Sequence, residues 1–368
     1  MFRVAYFVSP HGFGHAARAC AVMEAMTLLC PEMHFDIYTE VPRWFFAESL
    51  SRKFSYRCFP SDVGLVQISP LSEDLQATVV RLADARENEA ETIRKLAGQL
   101  RTRRCSLVIA DISPLGLAAA KAATLPSALV ANFTWDWVYN SYPGAPPQLV
   151  EHGRRLSEVF LLADLKIRAE PFCDAREGWI DVPPVARMPR TQPAKVREIL
   201  GVSTDDPMIV VSMGGVSWDA HGFSKTGFDD GPWIVVPGGS TTGIHRRGRL
   251  LLLPFHAQIY HPDLVGAADL VVSKLGYSTV AEAYCTRSGM LYLERSRFPE
   301  SPVLARWVEE HMVAEKITEE ELLSGIWLTG ARRVLEDTPR EPSNRSGAAL
   351  AAEAILERFG PESLSNRE

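Results

Sequence analysis

Length, composition and charge exclude several classes of protein. The chain has 368 residues, of which 46% are hydrophobic and 23% charged, as in a globular protein large enough for two domains. The formal net charge of −6 argues against a nucleic-acid partner, because phosphate backbones require a basic surface. The six cysteines form no C-x-x-C pair, and no apolar run is long enough to span a membrane. We therefore expect a cytoplasmic protein without a zinc or redox-dithiol site.

Short β-branched runs alternate with helical patterns along both halves of the chain. In the first half, helical patterns at 14–29 and 73–99 separate four predicted strands, at 4–8, 35–39, 107–110 and 128–131. The second half repeats the alternation with predicted strands at 208–212, 233–236, 250–253, 270–273 and 290–293. Strands that alternate with helices predict βαβ units and a parallel sheet in each half.

The change in pattern along the chain predicts its domain organisation. We expect an N-terminal Rossmann-like domain over 1–180 and a Pro-rich linker over 181–206, with a short helix ending near Gly201. A second Rossmann-like domain is expected over 207–330, followed by terminal helices and a tail over 331–368. In such doubly wound α/β domains the functional loops lie at the carboxyl ends of the strands.

The first motif, at 9–19, follows a predicted strand and opens a predicted helix. Gly12 and Gly14 let the backbone approach a ligand, and the helix start offers unpaired N–H groups. The G-x-G-x-x-A spacing also fits a dinucleotide-binding fingerprint, so a nicotinamide oxidoreductase is one alternative. His11 and His15 instead favour proton transfer or hydroxyl recognition, because a pyrophosphate turn requires small residues. A purely structural turn is a further interpretation.

The second motif, at 273–283, has the same arrangement in the second half of the chain. Gly276 permits a turn after a predicted strand, and Ser278 and Thr279 begin a helix, so amide and hydroxyl groups form a potential anion site. Glu282 lies about one turn further on, where a carboxylate can accept both hydroxyls of a ribose. The alternative is an ordinary helix with a hydroxyl cap.

Polar and aromatic residues follow two strands of the first half, at the sheet edge where His15 is expected. Asp111 ends one strand, and Asn132, Trp135 and Asp136 follow the next. Aromatic faces stack on sugar rings, and a carboxylate can orient an imidazole or accept a proton. A packing cluster at a capped helix start is the alternative.

The motifs of several other enzymes do not occur in the sequence. It contains no P-loop, no H-E-x-x-H, no G-x-S-x-G and no D-x-D. Glycines at two strand ends of the second half, Gly214, Gly215 and Gly238, leave room for a diphosphate, although double glycines are also common in turns. Helix-terminal N–H groups can hold a diphosphate without a metal, so we expect neither a metal site nor a cofactor.

Several of these motifs, in the same order, resemble known protein families. The segment 269–282, with its Ser-Lys-x-Gly-x-x-Thr-Val-x-Glu core, is similar to the donor-binding stretch of the peptidoglycan N-acetylglucosaminyltransferase family. The His-Gly-Phe-Gly-His-Ala loop, the Asn-Phe-x-Trp-Asp segment and the runs at 180–183 and 274–277 resemble the glycosyltransferase-like N-terminal region of plant L-arabinokinases. The resemblance extends over about 4–311.

The resemblance implies a GT-B fold, in which two Rossmann-like, doubly wound domains face each other across a cleft. It implies that the C-terminal half holds the donor, with the base near Phe255 and His256 and the donor sugar near Glu300. The complete set of expected donor-binding residues is Gly214, Gly215, Gly238, Phe255, His256, Lys274, Gly276, Ser278, Thr279, Glu282 and Glu300. The expected acceptor loop consists of His11, Gly12, Gly14, Asn132 and Trp135.

The sequence departs from the resembling families in three places. Pro10 and Phe13 occupy a loop that is usually rich in glycine, and the spacing between Gly214 and Gly238 is short enough that a helix is expected to be lost there. No sugar-kinase domain follows Phe359, so kinase activity is not expected.

These observations together predict a metal-independent glycosyltransferase of the hexosyl or acetylhexosaminyl class. We expect a UDP-sugar or another nucleoside-diphosphate sugar as donor and a saccharide, a lipid or a small molecule as acceptor. His15, Asp111 or Asp136 would remove the acceptor proton, and the transfer would invert the anomeric carbon. The alternatives are an inactive nucleotide-sugar-binding module and a GT-B nucleotide-sugar epimerase.

Overall fold

The computed structural model contains two separate seven-stranded sheets, one in each of two compact units. Unit 1 comprises Met1–Val185, Arg297–Glu300 and Gly347–Glu368, and unit 2 comprises Ala186–Ser296 and Ser301–Ser346. The structure describes residues 2–69, 72–213, 231–254, 257, 259–295, 297–337 and 346–361.

The sheet of unit 1 has the order β3-β2-β1-β6-β7-β8-β9, and all of its strands pair in parallel. Its strands are β1 (Phe2–Val8), β2 (Met33–Thr39), β3 (Ser55–Cys58), β6 (Leu107–Asp111), β7 (Ser127–Ala131), β8 (Leu165–Ala169) and β9 (Ile180–Val182). A separate antiparallel hairpin consists of β4 (Val66–Ser69) and β5 (Ser72–Asp74).

Helices of unit 1 cover both faces of this sheet. They are α1 (Phe13–Leu29), α2 (Arg43–Ser49), α3 (Leu75–Glu87), α4 (Glu89–Thr102), α5 (Pro114–Ala123), α6 (Trp135–Ser141), α7 (Pro147–Phe160) and α14 (Ala348–Phe359). Alternate residues of β1 enter two cores: Val4 and Tyr6 pack with α1 and α14, and Ala5 and Phe7 pack with α4 and α5. A strand buried on both faces explains the continuous apolar run at its position in the sequence.

The sheet of unit 2 has the order β12-β13-β11-β10-β14-β15-β16, and only β12 is antiparallel to its neighbour. Its strands are β10 (Met208–Val211), β11 (Trp233–Ser240), β12 (His245–Arg247), β13 (Leu250–Pro254), β14 (Leu270–Lys274), β15 (Gly289–Leu293) and β16 (Ala314–Lys316). Its helices are α8 (Pro193–Leu200), α9 (His261–Ala267), α10 (Tyr277–Thr286), α11 (Ser301–His311), α12 (Glu319–Ser324) and α13 (Trp327–Asp337).

Each sheet reverses its strand order beside its first strand. In unit 1, β1 lies between β2 and β6, and in unit 2, β10 lies between β11 and β14. In open α/β sheets ligands bind beyond the carboxyl ends of the strands at such a switch point. The loops that follow β1, β6, β10 and β14 are therefore where functional side chains are expected.

The predicted strands are all present, with bounds that differ by a few residues. The helical pattern over 73–99 corresponds to two helices, α3 and α4, which meet at Asn88. Asp74 caps α3 by accepting a hydrogen bond from the amide of Ala77. The helical periodicity continues on both sides of Asn88, so the break leaves no trace in the pattern.

The segment expected to be a linker contains regular structure, and the boundary between the units falls within it. β9 pairs with β8 at its start, and α8 ends at Gly201, which adopts the left-handed conformation that glycine favours. The last described helix, α14, packs on α1 of unit 1 through Ala351, Ala352 and Ile355. Within the described parts of the chain, no helix has the length and apolar character needed to cross a bilayer.

We predict that Gly116→Ala destabilises unit 1. A Cβ atom at Gly116 would lie 2.7 Å from Cγ of the buried Phe7, so α5 would have to move away from β1. Overpacking of this kind lowers the free energy of unfolding by about 1–3 kcal/mol. Gly98→Ala in α4 is the matched control, since among the described residues no atom outside the neighbouring backbone of α4 lies within 4 Å of its Cβ position, and it should raise stability by up to about 1 kcal/mol. Urea denaturation measures both, and equal stability of the two variants would contradict the packing described here.

Candidate active site

His15 and Asp111 meet at the switch point of unit 1. Gly12 is the N-cap of α1 with a φ of 79°, a conformation that favours glycine, and it places His15 in the first turn of the helix. Asp111 is the last residue of the neighbouring strand β6. The two side chains are buried, and Nδ1 of His15 lies 2.7 Å from Oδ1 of Asp111. The sequence motif and the strand order thus bring together two residues that are 96 positions apart.

Arg18 binds the same carboxylate from one turn further along α1. Its Nε donates to Oδ2 of Asp111 at 2.8 Å, and its Nη2 donates to Oδ1 at 2.6 Å. Its Nη1 donates to the side-chain oxygen of Asn132, whose Nδ2 donates to the backbone oxygen of Ala169 at 2.6 Å. The carboxylate is therefore paired and hydrogen-bonded on both oxygens, as a buried charge must be. Sequence reasoning missed Arg18, which the helical pattern of α1 does not distinguish from a surface arginine.

The pKa values of this cluster favour a neutral imidazole beside an ionised carboxylate. Burial, only partly offset by Asp111, lowers the pKa of His15 below its usual value. Burial alone would raise the pKa of Asp111, but the charge of Arg18 and the hydrogen bond from His15 outweigh it and lower that pKa. His15 is consequently uncharged at neutral pH, while Asp111 is ionised.

The contact with Asp111 also selects the tautomer of His15. An ionised carboxylate only accepts hydrogen bonds, so Nδ1 of His15 must carry the proton and donate it to Asp111. Nη2 of Arg18, 3.0 Å from Nδ1, then serves Asp111 rather than the imidazole. Nε2 keeps its lone pair, and no side chain or backbone group in the described ranges forms a hydrogen bond with it. A neutral imidazole oriented in this way is suited to accept a proton from a substrate hydroxyl.

Aromatic rings surround the two histidines of the loop. The ring of His15 lies 5.7 Å from Phe133 and 6.3 Å from Trp135, and the ring of His11 lies 5.1 Å from Trp135. Trp135 is fully buried, and its Nε1 donates to Asp62 at 3.1 Å. Trp135 therefore packs against the rings of His11 and His15, and the faces of its own ring are covered by protein.

Asp136, the other carboxylate predicted beside His15, lies in a different network. It is buried, and its Oδ2 accepts hydrogen bonds from Ser157 and from Nη2 of Arg176, each at 2.8 Å. Of the two carboxylates named from the sequence, the structure thus brings Asp111 and not Asp136 to His15.

In unit 2 the start of α10 lies at the second switch point. Gly276 is its N-cap in an extended conformation, with φ of −151°. Because the N-cap residue is a glycine, it offers no side-chain oxygen to the amides of Ser278 and Thr279. Among the described residues, no atom lies within 4 Å of the position that a Cβ atom at Gly276 would take. Neither the backbone conformation nor packing against these residues requires glycine there, whereas close approach of a ligand would.

Glu282, on the same helix, is buried and paired. Its Oε1 accepts a hydrogen bond from Nε of Arg187 at 2.9 Å, and its Oε2 lies 3.2 Å from Nδ1 of His261. The other ring nitrogen of His261 lies 3.1 Å from Oγ of Ser212, which follows β10. Burial would raise the pKa of Glu282, but Arg187 and His261 outweigh it and keep the carboxylate ionised. Arg187 and His261 belong to no motif, and sequence reasoning missed both.

The remaining predicted residues are placed as follows. Lys274 ends β14, and Gly14 lies in the first turn of α1. Gly238 lies inside β11 with a φ of 75°, at a shift in register between β11 and β13, so backbone geometry accounts for the glycine.

Glu300 is buried in a segment that clusters with unit 1, close to Phe298, whose ring lies 6.4 Å from His11. Four predicted donor-binding residues, Gly214, Gly215, Phe255 and His256, lie outside the described residues, as does most of the interval between Gly214 and Gly238.

No metal-binding constellation stands out in the described part of the chain. Within it, no group of three or more His, Cys, Asp or Glu side chains is arranged to hold a metal ion.

Solved structures show the class of fold. UGT89C1 from Arabidopsis thaliana, solved with UDP, covers 98% of this chain and all of its own at a TM-score of 0.63 and 13% identity. The glycosyltransferase VinC, solved with dTDP, covers 99% of this chain and 98% of its own at a TM-score of 0.57 and 13% identity. The chain has the GT-B fold of glycosyltransferases, which confirms the predicted fold class.

Among curated proteins, the chain is similar to L-arabinokinase from Arabidopsis thaliana. The two are 27% identical over 363 residues, which make up 96% of this chain. The chain spans 34% of the length of that relative. No protein-family model matches the chain. The resemblance inferred from the motifs is confirmed.

We predict that Arg18→Gln strongly destabilises unit 1. The substitution leaves Asp111 buried with its cation removed, and breaking a buried ion pair typically lowers the free energy of unfolding by about 3–5 kcal/mol. The control is Arg333→Gln, which removes an exposed pair with Glu315 and should change stability little. Thermal and urea unfolding measure both variants, and similar effects of the two would contradict the charge arrangement around Asp111.

Proposed function

We propose that the protein transfers a sugar from a nucleoside-diphosphate sugar to a hydroxyl group of an acceptor. The observation that carries this proposal is the buried His15–Asp111 pair, with its oriented, neutral imidazole at the switch point of unit 1. The GT-B fold supports it, because UGT89C1 was solved with UDP and VinC with dTDP. We place the enzyme in the hexosyl- or acetylhexosaminyl-transferase class.

In the proposed reaction His15 acts as the general base. Nε2 accepts the proton of the acceptor hydroxyl as its oxygen attacks the anomeric carbon of the donor. The bond between that carbon and the diphosphate breaks, and the diphosphate leaves with the electron pair. Asp111 stabilises the imidazolium that forms, as the carboxylate of a catalytic triad does. A single displacement on the face opposite the leaving group inverts the anomeric carbon.

The start of α10 would stabilise the departing diphosphate. Backbone amides at a helix start and the positive end of the helix dipole attract an anion, and Ser278 and Thr279 add hydroxyl donors. Groups fixed in place before the reaction stabilise developing charge without reorganisation, which is often the largest contribution to catalysis. We therefore propose a transfer that requires no divalent metal.

The nucleoside would bind beside this helix. Glu282 is held ionised, and each of its oxygens retains a second lone pair that can accept a ribose hydroxyl. Lys274, Gly214, Gly215 and Gly238 remain proposed contacts of the diphosphate, Phe255 and His256 of the base, and Glu300 of the donor sugar. UDP and dTDP are both pyrimidine nucleotides, and we propose a uridine donor.

We predict that His15→Gln lowers turnover by about 10²–10⁴-fold, because the amide cannot accept the proton. The rate is measured as release of UDP from a UDP-sugar, either with an added acceptor or with water in its place. The affinity for UDP should not change. The wild-type rate should fall only below pH 6.5, because burial lowers the pKa of His15 and the base stays neutral down to that lower value. His311→Gln, at an exposed histidine, is the control. Unchanged turnover in His15→Gln would remove this residue from the mechanism.

We predict that Gly276→Val weakens UDP binding at least tenfold without loss of stability. The added side chain would occupy space that no atom of the described residues fills and that the diphosphate would occupy. Gly243→Val is the matched control in unit 2, since no atom of the described part of the chain lies within 4 Å of its Cβ position either. Calorimetric titration with UDP and thermal unfolding test the pair. Equal UDP affinity of the two variants would contradict the proposed donor site, and binding of NADH instead of UDP would favour an oxidoreductase.

A further inference from the structure

Unit 1 contains a cavity at the same edge of the sheet as His15. Its volume is about 390 Å³, and its polar walls are formed by His11, Glu40, Asp62, Gln67 and Arg81. We call it the Glu40–Asp62 cavity. His11 belongs to the loop that leads into α1, so this cavity and the His15–Asp111 pair share one loop.

Asp62 is held at the wall of this cavity by side chains that also border the catalytic pair. Its Oδ1 accepts a hydrogen bond from Oγ of Ser9, and its Oδ2 accepts one from Nε1 of Trp135, each at 3.1 Å. The amide of Ser9 in turn donates to the backbone oxygen of Asp111 at 3.2 Å. Asp62 and the catalytic carboxylate are therefore tied to one rigid framework.

The loop that carries Asp62 is also fixed on both sides. Oγ of Ser61 donates to the backbone oxygen of Val8, and Tyr139 donates to the backbone oxygen of Gly64 at 2.7 Å. Gly64 has a φ of 60°, and a Cβ atom there would lie 3.0 Å from Nδ1 of His11. Glycine thus permits this loop to pack against His11, which positions Asp62 before any ligand arrives.

The chemistry of the walls distinguishes between classes of acceptor. The carboxylate of Glu40 and the partly ionised carboxyl group of Asp62 face one guanidinium, that of Arg81, which disfavours a polyanionic ligand. The polar groups also interrupt any apolar path that a lipid chain would need. Between the polar groups lie apolar surfaces of Phe13, Val41 and Leu65. A polyhydroxylated molecule requires carboxylates that accept hydrogen bonds from its hydroxyl groups and apolar side chains that contact its C–H faces. The volume is at the lower end of the range for small-molecule sites.

We propose that the Glu40–Asp62 cavity is the acceptor subsite and that it takes a small, neutral, polyhydroxylated acceptor of mono- or disaccharide size. Glu40 and Asp62 accept hydrogen bonds from hydroxyl groups of this acceptor, while another hydroxyl reaches His15. The inference rests on the proposed function, because only a transferase needs an acceptor.

The surroundings of Asp62 support a functional role. Burial, opposed by the hydrogen bonds from Trp135 and Ser9, raises the pKa of Asp62 to about 7. A carboxyl group with a raised pKa at the wall of a cavity is typical of a ligand site. If the side chain at this position only had to pack against Trp135 and Ser9, an uncharged residue would make the folded state more stable.

The experiment is a binding titration in the presence of UDP. The neutral probes are D-glucose, D-galactose, L-arabinose and myo-inositol, and the comparison probes are D-glucose 6-phosphate and 4-nitrophenol. Saturation-transfer NMR at millimolar probe concentrations reports binding to the wild-type protein and to the variants Asp62→Asn, Glu40→Gln and Glu91→Gln. Glu40 is exposed, so Glu40→Gln remains informative if Asp62→Asn fails to fold. Glu91 lies on the exposed surface of α4 and serves as the control.

We expect at least one neutral probe to bind and its Kd to rise at least tenfold in Asp62→Asn and Glu40→Gln, but not in Glu91→Gln. A site built to accept substrate hydroxyls discriminates strongly when its acceptor is changed. Equal affinity in all variants, binding of only the phosphate or the aromatic probe, or binding of no probe would each overturn the inference. Failure of UDP to bind would instead contradict the proposed function, whatever the sugars do.

Discussion

The buried carboxylate of Asp111 is the group on which the chemistry of unit 1 depends. A carboxylate without solvent contact is unfavourable unless cations and donors surround it, and Arg18 and His15 supply both. If Arg18 were absent, burial would raise the pKa of Asp111, and the carboxylate would be less able to accept the hydrogen of Nδ1 of His15. Arg18 therefore keeps the carboxylate ionised, while burial is the main reason that the histidine is neutral. The carboxylate in turn fixes which ring nitrogen carries the hydrogen.

The switch points of the two units carry different chemical groups. Both sheets are doubly wound and parallel except at β12, and in each the strand order reverses beside the first strand, so each brings its loops together at a switch point. In unit 1 this position holds ionisable side chains, which suits proton transfer. In unit 2 it holds a helix start whose N-cap is a glycine, with open space around that glycine among the described residues, which suits an anion. A reaction that removes a proton from one substrate and releases a diphosphate from the other needs both kinds of site.

The sequence predicts the features that depend on local pattern. Apolar runs alternating with helical periodicity define the sheets, and parallel strands with shared carboxyl ends are sufficient to place His15 beside Asp111. What it does not predict depends on contacts between distant residues. The sequence does not distinguish Arg18 from the other arginines, because its partner Asp111 lies at the end of the distant strand β6. Asp62 lies in a loop that has no periodic pattern. Glu282 is predicted as a ribose ligand, but its partners Arg187 and His261 come from segments without motifs. The return of α14 to unit 1 is likewise a long-range contact.

The tautomer and charge of His15 provide the most direct test of this account. Nitrogen-15 NMR of the histidine side chains, with His15 assigned by its loss in a His15→Gln sample, distinguishes the two ring nitrogens and follows their titration. The account predicts a neutral ring at pH 7 with the hydrogen on Nδ1, an unprotonated Nε2, and protonation only below pH 6.5. An imidazolium at pH 7, or a neutral ring with its hydrogen on Nε2, would contradict it.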